Sequence, residues 1–256
     1  MSDLTLIIPA KNEKESLPKV LDELKGFNFK KNVILEASDR LTIEAVKNYD
    51  CKIIYQDSNG YGDALKKGIE TTETEFFCIF NADGSFNPKE LDQMIKKLKD
   101  EKCDFVFASR YEKDCGSEDD TLITLVGNYI FTFLGKIFFK LNITDILYTF
   151  VMARASCAKE LKLTAKDFSF CVELPIKAHR ASYKICTSKS FERSRIAGKK
   201  KVNAFKDGLK ILFSMIKLFF RHQVWFIKFK QDHITNIIKD YWCRYRFNLK
   251  KCVTWV

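Results

Sequence analysis

The feature that most constrains this chain is an alternation of short β-type runs with helical periods through its first 110 residues. Leu4 to Pro9, Val33 to Leu35, Lys52 to Tyr55, Phe76 to Phe80 and Asp104 to Ser109 read as strands. Between them, Leu17, Val20, Leu21 and Leu24 recur at helical spacing and are stopped by Gly26. Asn12, with Glu15 three positions on, has the order of a capping box, and Pro88 can open a helix through Leu91, Met94, Ile95 and Leu98. Strand-helix-strand alternation predicts an α/β fold with a mainly parallel central sheet covered by helices on both faces. In such a sheet ligands collect at the carboxyl ends of the strands, so function is sought where strands stop.

The pattern changes after residue 115. Leu122 to Leu141 is almost continuously apolar, but Thr124, Asn128, Thr132, Lys136 and Lys140 recur at steps of four. A spanning helix needs about 20 apolar residues largely free of charge, which two lysines and two glycines oppose. The segment reads either as a core helix with one solvated edge or as a helix lying in a lipid interface. Asn203 to Arg221 repeats the theme, with Lys206, Lys210, Lys217 and Arg221 beside Leu209, Phe213 and Ile216. The expected organisation is a domain over residues 1–220 carrying these amphipathic helices, then a basic aromatic tail over 221–256 that forms a helical extension or touches a membrane surface.

Net charge is +11, and the tail contributes eight Lys and Arg against two Asp. This favours an anionic partner without choosing among nucleic acid, phosphorylated small molecules and an acidic membrane face. None of the nine cysteines has the spacing of a zinc knuckle or redox motif, and no signal peptide is readable before Pro9. The thiols are therefore expected to remain reduced in the cytosol.

Asn81-Ala82-Asp83-Gly84-Ser85 follows the apolar strand Phe76 to Phe80 directly. Two oxygen-bearing side chains two residues apart at a strand end can meet one hard cation, although an ordinary Asp-Gly turn has the same sequence. Gly60 and Gly62 precede a helix, where bare amides can approach a phosphate or ribose; Leu65 stands where the dinucleotide fingerprint needs a third glycine. Cations stand at Arg110, after the fifth strand, and at Arg193, Arg195, Lys199, Lys200 and Lys201 around Gly198. A charge run of this kind is either a solvated loop or an anion-binding one.

In their order and separations, Ile8-Pro-Ala-Lys-Asn-Glu13, Gly60-Tyr-Gly-Asp-Ala-Leu65, Asn81-Ala-Asp-Gly-Ser85, Ser109-Arg-Tyr111, Thr144-Asp145 and Arg195-Ile-Ala-Gly-Lys-Lys-Lys201 resemble the family 2 glycosyltransferases. The branch they look most like is the polyprenyl-phosphate (dolichyl-phosphate) sugar synthases, over about Leu4 to Leu218. The resemblance implies a GT-A fold, a UDP- or GDP-linked sugar donor, Mg²⁺ or Mn²⁺, and inversion at the anomeric carbon. Carried over by position, it puts Pro9, Asn12, Glu13 and Glu36 on the nucleotide and Asp83 with Asn81 on the metal. Arg110, Arg195 and Lys201 fall to donor or acceptor phosphates, Arg110 joining Asp83 in catalysis, and the Gly60 and Gly62 amides stay with the cofactor. Asn81 occupies the place of the first Asp of an acidic pair, and Glu36-Ala-Ser-Asp39 replaces an Asp-Asp-Gly-Ser stretch.

The expected reaction is a single displacement that leaves a nucleoside diphosphate. A lipid-phosphate acceptor is already ionised and needs no base; a saccharide hydroxyl would need one, for which Glu173, on a helix over Phe170 to Ala178, is the candidate. The enzyme is expected in the cytoplasm, peripheral to a membrane, with no nucleic-acid partner. Rival readings are a catalytically degenerate glycosyltransferase, because of Asn81, and a basic nucleic-acid-binding protein with its tail aromatics.

Overall fold

The computed structural model describes residues 3–198 and 200–220. In chain order it opens with β1 (Leu4–Pro9), α1 (Leu17–Glu23), β2 (Lys30–Leu35), α2 (Arg40–Val46), β3 (Lys52–Tyr55) and α3 (Tyr61–Glu70). There follow β4 (Phe76–Ile79), α4 (Leu91–Asp100), β5 (Phe105–Ser109), β6 (Gly116–Ser117) and α5 (Leu122–Phe139). The remainder is β7 (Val151–Arg154), α6 (Ala155–Glu160), α7 (Phe170–Arg180), β8 (Ile185–Lys189), β9 (Phe191–Glu192) and α8, a helix over 204–220. The chain divides into two compact units, Met1–Ser214 and Met215–Val256, and the tail expected over 221–256 lies outside the described residues.

Seven strands form one sheet in the order β3-β2-β1-β4-β7-β5-β8. All pairings are parallel except those of β7, which runs antiparallel between β4 and β5 and sets Met152 opposite both Cys78 and Val106. The fold is α/β with a mainly parallel central sheet, as expected. Alternation along β1 covers both faces: Leu6 and Ile8 join the core with Leu17, Val20 and Leu21 of α1 and Leu91, Met94 and Leu98 of α4. Ile7 points the other way, against α3, where Gly68 is required because a Cβ there would lie 2.2 Å from Ile7 Cγ2. One end of the core is aromatic, with Phe86 stacked on Phe150 at 4.5 Å and Phe80 edge-on to both.

Three expectations are corrected. Asn12 does not cap α1: it has φ 53° and its amide donates to Asp39 Oδ2 at 2.7 Å, while α1 starts at Leu17, with Ser16 before it and Pro18 in its first turn. Cys103 and Cys186 are joined in a disulfide, so not every thiol is free as expected; Cys78 and Cys171 are buried free thiols.

The third correction concerns α5: Thr124, Asn128 and Thr132 of its polar stripe face inward, Lys136 and Lys140 at its end are exposed, and its apolar side faces out. Asn128 is 1% exposed and donates to Asp145 Oδ1 at 2.5 Å, Thr124 Oγ1 donates to Asp120 at 3.0 Å, and Thr132 Oγ1 accepts from the Ile146 amide at 3.2 Å. The core-helix reading with a solvated polar edge is thereby reversed. Backbone amides and carboxylates in the 142–148 loop need partners when buried, and the helix supplies them.

Phe150→Ala should empty the aromatic end of the core and destabilise the protein by about 3–5 kcal/mol, read as a lower urea midpoint with an unchanged slope.

Candidate functional site

At the carboxyl ends of β1, β2 and β4 opens a cavity of about 570 Å³. Of the sequence-derived site residues, Pro9, Asn12, Glu13, Glu36, Gly60, Asn81, Asp83, Arg110, Arg195 and Lys201 all line it. The parallel sheet explains the convergence, because β1, β2 and β4 all end at the same edge.

The turn after β4 carries Asp83. Its Oδ1 accepts the Ser85 amide at 3.0 Å, and Gly84, at φ 83°, lets the Ile196 side chain approach to 2.3 Å of where a Cβ would stand. The Ile196 amide donates to the Asp83 carbonyl at 2.8 Å. The described residues of a strap, 193–198 and 200–202, are thus pinned to the turn and deliver their cations to the pocket acids. Arg195 reaches Asp83 at 3.6 Å and Asp119 at 3.1 Å, Lys200 reaches Asp119 at 3.2 Å, and Lys201 pairs with Glu13. Burial alone would lower the Arg195 pKa, but Asp119, Asp83 and Glu13 outweigh it and hold the guanidinium protonated.

Glu13 is itself fixed. Its amide donates to Thr42 Oγ1 at 3.0 Å and its carboxylate accepts from Ser16. Glu36, at the end of β2, pairs with Lys11 at 2.7 Å. Tyr61, at the start of α3, stacks on Phe168 with ring centroids 5.0 Å apart and shares a 2.7 Å hydrogen bond with Thr149. Burial pushes the phenol's pKa up, so it remains neutral.

Arg110 departs from the expected phosphate-facing role. Its Nε and Nη2 hold Asp145 at 2.7 and 3.0 Å, and Nη1 holds Glu192 at 2.8 Å and lies 3.4 Å from Asp120. Burial would lower its pKa, but Asp145 and Glu192 raise it above the ordinary value. A guanidinium so enclosed positions the loops around it, although Arg110 also lines the cavity. Burial pushes the Glu192 carboxyl up, with Arg110 and Ser117 opposing in part.

Glu173 is also corrected. It is 3% exposed, lies off the cavity, and accepts from the Thr164 amide and hydroxyl at 3.0 and 2.8 Å and from the Ala165 amide at 2.7 Å. Burial would raise its pKa, but Lys177, Ala165 and Thr164 together lower it. A general base works best near the operating pH, so a carboxylate held low and fully bonded is a loop clamp. Gly62 likewise lies off the cavity. A Cβ there would meet Ala165 O at 2.6 Å, and one at Gly60 would meet Lys166 O at 2.1 Å. Both glycines are needed for packing against the 165–167 backbone, which the fingerprint reading did not anticipate.

Could the site take a divalent ion? Asp83 already faces a cation, and the Asn81 side-chain oxygen meets only the Tyr61 hydroxyl at 3.4 Å, so hard oxygen donors line this end of the cavity. Among the described residues no trio of His, Cys, Asp or Glu surrounds Asp83; the one trio found is Glu101 with the two disulfide cysteines. An ion at Asp83 therefore needs ligand oxygens to complete its shell, as Mg²⁺ does when one or two carboxylates and a substrate phosphate hold it. Asp119, Asp120 and Glu192 escaped sequence reading because the segments that carry them have no motif, and Lys11, inside one, was given no role; only their ion pairs place them.

Glu173→Gln should leave any turnover unchanged and cost stability. Because the folded-state pKa is lowered, Glu173 contributes stability above its unfolded pKa and loses it as pH falls through the folded value. Thermal scans from neutral to acid pH should show the wild-type protein losing its advantage over Glu173→Gln across that window.

Residues 5–162 match the family described as glycosyl transferase family 2. An uncharacterized glycosyltransferase of Mycobacterium tuberculosis is 24% identical over 205 residues, covering 80% of this chain and 92% of its own length. Among solved structures, glucosyl-3-phosphoglycerate synthase of M. tuberculosis, in complex with Mn²⁺, UDP and glucosyl-3-phosphoglycerate, superposes with TM-score 0.70 at 13% identity, over 84% of this chain and 79% of that one. The same enzyme with Mn²⁺ and UDP-glucose gives 0.65 at 12% identity, over 84% and 78%. These two likenesses concern the fold.

Proposed function

Because the chain belongs to glycosyltransferase family 2, we propose that it transfers a sugar from a UDP- or GDP-linked donor to a polyprenyl phosphate, with inversion and with Mg²⁺ or Mn²⁺ bound at Asp83 and Asn81. The observation that carries this reading is the pairing of pocket acids with a basic strap. Arg195, Lys200 and Lys201 are held by Asp83, Asp119 and Glu13, the arrangement a metal-bound diphosphate can enter by exchanging partners. When bound, the ion would offset charge on the departing diphosphate.

The residues do the remaining work. Pro9, Asn12, Glu13 and Glu36 border the nucleotide end, and Glu36 is the carboxylate nearest in sequence to a base-reading role. Arg195 and Lys201 take up donor or acceptor phosphate oxygens, and Arg195 offers the planar fork that suits them. Tyr61 and Phe168 wall the cavity with a stacked pair, excluding water from that side.

The state of the carboxylates supports an acceptor that arrives ionised. Each one lining the cavity is ion-paired: Glu13 to Lys201, Glu36 to Lys11, Asp83 and Asp119 to Arg195, Asp120 and Glu192 to Arg110. With Glu173 occupied elsewhere, an acceptor that arrives ionised is favoured over a saccharide hydroxyl. A phosphate oxygen needs no proton removed at neutral pH. The phosphoglycerate named for the structural relative also bears phosphate, so both acceptor types belong in the assay.

Purified protein incubated with UDP- and GDP-sugars, Mn²⁺ and each acceptor in turn should release nucleoside diphosphate with the polyprenyl phosphate and yield its glycosylated form. Asp83→Ala should lower the rate by about a hundredfold or more with the fold intact, and chelation should do the same. Salt-sensitive DNA binding without turnover would replace this reading with the nucleic-acid one.

In the strap, Arg195→Ala should raise donor KM more than Arg195→Lys, since lysine retains charge and loses only the fork. Wild-type kinetics in both would return the strap to a solvated loop.

A further inference from the structure

Helix α5 presents an unusual surface. Leu122, Val126, Tyr129, Ile130, Phe133 and Ile137 are each about half exposed or more, with Leu122 76% exposed. Among the described residues it is the one helix whose length and composition would suffice to cross a membrane, at mean hydropathy 1.6 with 17% of it buried. Contiguous apolar patches of this kind are rare on soluble monomers unless something covers them.

A spanning arrangement conflicts with the inward stripe. Thr124, Asn128 and Thr132 hold Asp120, Asp145 and the Ile146 amide, and Asp145 in turn holds Arg110. Drawing α5 into a bilayer core would break all of these. The helix stays bound to its domain along one side and shows lipid-like chemistry on the other.

We propose that the outward face of α5 lies on an anionic lipid bilayer, its axis in the plane of the surface. Three observations choose this occupant. From Leu122 to Lys140 there is no acidic residue, and exposed Lys136 and Lys140 stand at the end of the face, complementary to lipid phosphates and repulsive toward a second copy. The face offers almost no directional donor or acceptor besides the Tyr129 hydroxyl, whereas protein interfaces carry about one hydrogen bond per 100–200 Å². The first turns of α8 repeat the design independently: Phe205, Leu209 and Phe213 are exposed with Lys206 and Lys210, while the sole acid, Asp207, is buried and accepts the Asn203 amide at 2.8 Å.

The cavity is lined by Thr124 and Asn128 of the inward side of α5 and by Val202 just before α8, so both helices border the site while the lipid face of α5 turns away from it. In this arrangement the surface would bring a lipid-borne phosphate close to the helices that carry the cavity wall. This last step rests on the acceptor proposed above; the docking itself does not.

The test is flotation of the full-length protein, without donor, on vesicles of phosphatidylcholine with and without phosphatidylglycerol. Wild type should float with the anionic vesicles, less so at high salt. The double variant Ile130→Glu, Phe133→Glu alters only exposed side chains and should partition about tenfold less, with an unchanged circular dichroism spectrum and thermal midpoint. Undiminished flotation of that variant overturns the proposal, as does a wild-type protein that ignores vesicles and sediments as a dimer dissociated by the same substitutions. Failure of the glycosyl-transfer reading would appear instead as absent turnover while flotation persists.

Discussion

The Arg110 guanidinium, buried among Asp145, Glu192 and Asp120, is the interaction on which the site's architecture depends. It joins the end of β5 to the 142–148 loop, to β9 and to the segment before α5. Removing one partner of a buried ion network leaves an uncompensated charge, which costs about 3–5 kcal/mol, so these loops are fixed together. Asn128 extends the network into α5 and so determines which side of that helix faces the domain. The inverted amphipathicity of α5 is a consequence of this polar connection.

The cavity beside it is organised by charge exchange. Acids and cations of the site are matched to one another, and the strap is held to the Asp83 turn by Ile196. Ion pairs at this level of exposure are weak individually, typically below about 1 kcal/mol, and are readily traded for charge-assisted bonds to phosphate. A divalent ion arriving at Asp83 and a diphosphate arriving at Arg195 and Lys201 would relieve one another's desolvation.

Much of this was legible in the sequence. The five leading strands, the strand-end Asp83 turn and the cationic strap followed from periodicity, turn chemistry and the ordered motifs, which depend on local chain properties. What escaped depends on partners distant in sequence. β7 is four residues long, and its antiparallel insertion between β4 and β5 has no local signature. Arg110 read as a free cation because Glu192, 82 residues away, could not be seen beside it. Glu173 read as a base candidate because its amide partners lie in an irregular loop. The stripe on α5 was visible, but its direction was not: a helical period gives the angle between faces and leaves open which face turns inward.

The most direct measurement of the central claim is a calorimetric titration of UDP and GDP into the purified protein, with and without Mn²⁺. If Asp83 and the strap form a metal-diphosphate site, one of the two nucleotides should bind with Mn²⁺ present, lose most of that affinity when the ion is withheld, and bind more weakly as ionic strength rises. Binding that is indifferent to the metal, or no heat from either nucleotide with Mn²⁺ present, would contradict the account.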